Sequence, residues 1–119
     1  MDRTEQLVNA IVEGMKEKKG GGIVTIYIGD LEGAICKYFV ICQGGSPAQV
    51  EAITDSVEET ARKATGEKPS HMVGMENARW VAMDYIDVMA HIFMPEEREF
   101  YNLEGLWEDG KAVRISDEA

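Results

Sequence analysis

Apolar side chains recur at Leu7, Val8, Ile11, Val12 and Met15, the three-and-four spacing of one helical face. The pattern predicts a helix over residues 3–18, with Asp2 or Thr4 as its cap. Gly20-Gly21-Gly22 ends it, because each glycine weakens a helix by ~1 kcal/mol. The rhythm then changes. Ile23 to Ile28 is an unbroken β-favouring run between glycines, and Gly29 to Gly33 reads as a turn. Ala34 to Cys42 follows as a second strand, apolar enough to be central and buried on both faces. Lys37 interrupts that run and must reach solvent or an acidic partner.

Ser46-Pro47 opens the best-marked helix. Ser46 is a good N-cap, Pro47 suits the first helical position, and Gln49 completes a capping box. Val50, Ile53, Val57, Ala61 and Ala64 form its apolar stripe, and Gly66 ends it. Pro69 to Val73 reads as a short edge strand. Arg79 to Asp84 and Asp87 to Phe93 read as an antiparallel hairpin closed through Tyr85-Ile86. Pro95 starts a last helix, with Glu96 and Glu97 in its first turn. Phe100, Leu103 and Trp107 fall on a core face with Leu106 at its edge, and Arg98, Tyr101 and Glu104 form a separate row. These elements predict an α/β fold: a single compact domain with a mixed sheet of about five strands and flanking helices. Residues 1–107 form the domain, and residues 108–119 are a polar, acidic tail, mobile at its end.

A chain of 119 residues fits one domain, and that size buries roughly two-thirds of its unfolded surface. The net charge of −10 changes the functional picture. Phosphate-backbone binding needs clustered Lys and Arg. The dense basic group is Lys16, Lys18 and Lys19, at a helix end where cations suit the dipole. Sequence-specific nucleic-acid recognition is therefore not expected, and a basic protein partner is. No apolar run is long enough to span a bilayer, and the charged start MDRTEQLV lacks a secretory pattern. Cys36 and Cys42, placed in one strand at ~3.3 Å per residue, would lie about 20 Å apart. A disulfide needs Cα atoms within about 7 Å, so two free thiols and a reducing cytoplasm are expected.

Candidate chemistry is sparse. Glu96, Glu97, Glu99 and Glu104 sit along one helix, whereas a glycosidase pair must converge across a cleft at about 5–9 Å. Gly44-Gly45-Ser46 before a helix could bind an anion, but it lacks the further glycines or Lys-Ser/Thr of phosphate loops. Nucleotidyltransferases also place Gly-Ser before a helix, then two metal-holding carboxylates on a strand; here the matching distance falls in Asp55 to Glu59, on the helix itself. Asp84, Asp87 and His91 suggest a metal cluster at first sight, but the hairpin does not make them converge. For His91 a structural hydrogen bond, a partner contact and a metal remain as readings. No cofactor is expected. Alternation puts Val81 and Met83 on one face of their strand and Trp80, Ala82 and Asp84 on the other. Trp, Tyr, Met and Arg are enriched at binding hot spots, so Trp80 is open to two readings, core packing or partner contact.

Three blocks carry a resemblance: Trp80-Val-Ala-Met-Asp-Tyr, Asp87-Val-Met-Ala-His-Ile-Phe, and Pro95-Glu-Glu-Arg-Glu-Phe-Tyr-Asn-Leu-Glu-Gly-Leu-Trp107. With Tyr38-Phe-Val-Ile-Cys, Gly44-Gly-Ser and Gln49-Val-Glu-Ala-Ile, the chain resembles the ribosomal silencing factors of the Iojap family over residues 5–107. The resemblance implies a nucleotidyltransferase-like topology without catalysis. It implies binding to the fourteenth protein of the large ribosomal subunit, hence to the 50S particle, and a block to subunit joining. It also implies a homodimer in the free state. By the same resemblance, partner contact is expected at Trp80, Met83, Asp84, Tyr85, Arg98, Tyr101 and Glu104. Lys37 stands where the family usually has Asp, and Val73 where it usually has Glu. The alternatives are a nucleotidyltransferase-like nucleotide-binding protein and an acidic adaptor for another basic protein.

Overall fold

The structure is a computed structural model and describes residues 1–115. The mobile end expected of the tail lies at residues 116–119, outside the described residues. The elements run α1 (Arg3–Glu17), β1 (Gly21–Tyr27), β2 (Tyr38–Gln43), α2 (Pro47–Thr65), β3 (His71–Val73), β4 (Trp80–Asp84), β5 (Val88–Phe93), α3 (Pro95–Tyr101), α4 (Leu103–Leu106) and β6 (Lys111–Arg114). Six strands form one mixed sheet in the order β3-β4-β5-β2-β1-β6. Among the described residues, only β2 and β5 pair in parallel; the other neighbours are antiparallel.

Both long helices start as their sequences predict. The Asp2 side chain accepts from the Glu5 amide at 2.8 Å, and Ser46 accepts from Gln49 at 3.1 Å. Gln49 Oε1 in turn accepts from the Gly45 amide, and Gly66 closes α2 in the left-handed conformation. Both helices lie on the same face of the sheet. Leu7, Ile11 and Met15 of α1 and Val50, Ile53, Val57 and Ala61 of α2 bury against Ile23, Val40, Cys42, Val81, Met83, Val88, Ala90 and Ile92. Ala64, placed in the stripe by its spacing, is exposed.

Four differences from the sequence-based expectation matter. The run from Ala34 to Lys37 is not strand: β2 begins at Tyr38, and the loop before it folds over the sheet face opposite the helices, with Leu31, Ala34 and Cys36 against Phe39 and Ile41. The hairpin turn is wider than Tyr85-Ile86, with Asp84 opposite Met89 rather than Asp87, because Tyr85 donates to the Val88 carbonyl and Asp84 Oδ1 takes the Ile86 amide. The last helix is two pieces, since Asn102 adopts φ +46 and its side chain recaps the chain at Gly105. Finally, the segment read as a tail supplies β6, which pairs with β1 from Val24 to Tyr27 and extends the sheet by one strand.

Candidate functional site

The two faces of the sheet are unequal. The helix face is sealed: Val81, Met83, Val88 and Ala90 have no exposure at all. On the other face, Leu31, Ala34, Cys36, Leu103 and Trp107 cover β1, β2 and the end of β5. Among the described residues, nothing comparable covers β3 and β4. Strand alternation and register put His71 and Val73 of β3, Trp80, Ala82 and Asp84 of β4, and Met89 of β5 on this open half. His71 and Val73 are exposed; the other four are half-buried. An apolar, partly open sheet face at a sheet edge is a protein-docking geometry.

Trp80 is its centre. Its indole stacks on Phe93, directly opposite in register, with ring centroids 5.0 Å apart, and lies 4.6 Å from the Tyr101 ring. Its Nε1–H donates to His91 Nδ1 at 3.1 Å. Tyr101 is half exposed and carries Phe100 edge-on beside it at 5.0 Å. Phe100, expected in the core, is 80% exposed: the break at Asn102 puts it out of line with Leu103 and Trp107, which do pack on the sheet. The aromatic row Trp80–Tyr101–Phe100 thus climbs from the sheet to the surface.

The seven side chains expected to meet a partner divide by burial. Trp80, Asp84 and Tyr101 stand on or beside the open face. Met83 and Tyr85 do not: Met83 has no exposure and Tyr85 only 4%, both packed among the helices. Odd-numbered positions of β4 point to the helix face, and Tyr85, just past its end, is buried in the same helix-side cluster, so neither shares a surface with Trp80. Arg98 and Glu104 are engaged with each other at 2.8 Å, and Arg98 also donates to Gln43 Oε1 and to the Gly22 carbonyl. Their helical row is broken by Asn102, so they fasten the α3–α4 bend to the sheet. Arg79, not singled out by the sequence, does similar work by pairing with Glu97 and, at 3.4 Å, Glu96. This pair holds the Glu97 carboxyl below its ordinary range through the Arg79 hydrogen bond.

Of the three readings left open for His91, the structure shows the hydrogen bond, accepted from the Trp80 indole. Burial alone pushes its imidazole down to about 4, so it is neutral at physiological pH. Asp84 and Asp87 flank the turn without forming a metal site, and no group of three potential ligands converges among the described residues. The groove between α1 and α2 is lined by Glu17, Lys18, Asp55, Glu59 and Lys63, with Lys63 and Glu59 already paired at 2.8 Å. It gathers solvated charges rather than convergent ones. The Cys42 thiol is raised by burial to about 12 and is not a nucleophile.

The profile described as "Ribosomal silencing factor during starvation" matches residues 1–119. The chain belongs to the ribosomal silencing factor family. Ribosomal silencing factors from Halalkalibacterium halodurans (34% identity, 93% of each chain) and Bacillus subtilis (43% identity over 67% of this chain and 69% of the relative) are similar to it. So is the chloroplastic Iojap protein of Zea mays, at 30% identity over 66% of this chain and 34% of the longer relative. Crystal structures of proteins from Chromobacterium violaceum (TM-score 0.82, 27% identity, 98% and 94% of the two chains) and Bacillus halodurans (TM-score 0.78, 32% identity, 93% and 99%) share the fold. The bacterial relatives carry the name of ribosomal silencing factors. No helix among the described residues is long and apolar enough to cross a membrane.

Proposed function

We propose that this protein represses translation by binding the large ribosomal subunit, through its fourteenth protein, and standing in the way of the small subunit. The observation that carries the reading is the half-open sheet face centred on Trp80, which presents aromatic area with no catalytic group beside it. Such a face binds by area and shape, with a buried aromatic as its anchor. The net charge of −10 suits a basic ribosomal protein and speeds its encounter. Occlusion needs bulk and affinity but no turnover. The protein acts in the cytoplasm, where its partner is, and in the absence of subunits two copies associate as a homodimer.

The contact set we propose is Trp80, Asp84 and Tyr101 from the expected residues, with Phe100 and Val73 added by exposure. Met83, Tyr85, Arg98 and Glu104 support this surface from behind. Co-sedimentation with purified 50S particles tests the reading. Wild-type protein should pellet with them and lower the yield of 70S particles when 30S is added. Trp80→Ala should weaken binding by about 2 kcal/mol or more. A protein that leaves 70S formation untouched at saturating concentration is not a silencing factor of this kind.

A further inference from the structure

We propose that His91 is a positioning residue for the docking face, fixing the Trp80 indole in its binding orientation by accepting the indole N–H. The inference rests on the proposed role of Trp80 in binding. Its structural basis is separate. Trp80 faces His91 diagonally across the β4–β5 pair: its direct partner is Phe93, two residues away from His91. The indole N–H is spent on His91 Nδ1 at 3.1 Å, so a partner meets the hydrocarbon of the ring and not its polar atom.

An exposed tryptophan has several rotamers of similar energy, and freezing one on binding costs affinity. Here three contacts select one in advance. Phe93 lies under the ring, Tyr101 lies against it, and His91 holds its polar edge. The first two are apolar and tolerate sliding. Only the hydrogen bond is directional. The acceptor itself is rigid: His91 is 4% exposed, set edge-on to Phe39 at 5.1 Å and near-parallel to Phe93 at 6.0 Å. Because Nδ1 accepts, the proton of the neutral ring sits on Nε2, which is buried with no hydrogen-bond partner among the described residues. Leaving a buried polar atom unpaired is unfavourable, and a histidine whose only role was to fill the core would be replaced there by an apolar ring without that cost. The bond to Trp80 is what the imidazole supplies and a phenylalanine could not.

The test uses the full chain labelled with nitrogen-15. Proton exchange at the Trp80 indole should be slow in the wild type and at least about tenfold faster in His91→Leu, with 50S affinity down about three- to tenfold. His91→Asn, whose Oδ1 lies as many bonds from the backbone as Nδ1, should recover most of both. In a Trp80→Phe background, which has no indole N–H, adding His91→Leu should leave affinity unchanged. Equal exchange in wild type and His91→Leu, or an equal affinity loss with and without the indole, overturns the proposal. Should His91→Leu not fold, the ring nitrogen shifts of His91 read the same bond in Trp80→Phe: movement of Nδ1 supports it and constancy refutes it. If wild-type protein ignores 50S particles, the proposed function fails, while indole exchange still decides the positioning.

Discussion

The Arg98 guanidinium donates to the Gly22 carbonyl at 2.7 Å, joining residues 76 positions apart. It reaches there because Gly22, at φ +56, has no Cβ; one added at that position would stand 2.8 Å from an Arg98 nitrogen. The same guanidinium binds Gln43 and Glu104, so one side chain ties β1, β2, α3 and α4 together.

This arrangement predicts a stability phenotype for Arg98 where a partner contact would give none. Its side chain is only 12% exposed, so Arg98→Leu should cost about 2 kcal/mol by leaving Glu104 and the Gly22 carbonyl unpaired. Arg98→Lys should rescue little, since a point charge cannot reproduce a planar fork. Urea unfolding measures both. Binding to 50S should fall only as far as Tyr101, on the same short helix, loses its place. Wild-type stability with abolished binding would return Arg98 to the interface.

Gly14 marks where α1 and α2 touch. A Cβ built there lies 2.7 Å from the Val57 Cα, a backbone atom that cannot turn aside. Ser56 Oγ donates to the Gly14 carbonyl at 2.8 Å and fixes the crossing. Gly14→Ala would gain ~1 kcal/mol of helix propensity but force the helices apart, and overpacking of this kind costs about 1–3 kcal/mol. A net loss in the thermal midpoint is expected. A rise would mean that the helices separate without penalty.

The main elements were legible because their signals are local. Ser46, Pro47, Gln49 and Gly66 mark α2 by cap chemistry, and the apolar runs of β1 and β2 need no partner to be recognised. The misreadings share a different physics. Lys111–Arg114 is exposed throughout and becomes strand only because β1 offers an unpaired edge, a non-local fact. Asn102 breaks a helix that spacing alone would continue, and with it the row Arg98–Tyr101–Glu104 loses its meaning as a face. At the site, alternation already separated Met83 from Trp80. Adjacency in a block of resemblance put them back together. The Trp80–His91 bond needed only the hairpin parity, which either turn length preserves.

Ile86 occupies the left-handed region at φ +74, on the tip of the β4–β5 turn. A β-branched residue there carries about 1–2 kcal/mol of strain. It is 65% exposed, so little packing repays the strain. Ile86→Gly should relieve it, less the greater freedom of glycine in the unfolded chain, for a net gain of about 1 kcal/mol. The urea midpoint should rise with an unchanged slope. A fall would show that the Ile86 side chain holds the turn together.

Stability should also fall with pH in a window set by His91. Its imidazole is held down to about 4 in the folded protein against an ordinary value of 6.5, by burial alone. The rings packed on it, Trp80, Phe39 and Phe93, carry no titrating group. Between those two values the unfolded chain binds a proton that the folded chain refuses. The contribution is therefore complete above about pH 6.5 and is lost progressively down to about 4. Between pH 7.5 and 5 the loss should be about 2 kcal/mol. Glu97, whose carboxyl is lowered from 4.5 by Arg79, adds its own loss at more acidic pH and does not confuse the window. Urea midpoints at the two pH values, in wild type and His91→Leu, check the claim. The variant should lose most of the slope; if both proteins weaken equally on acidification, the proton uptake belongs to another group and the imidazole is not neutral for the reason given.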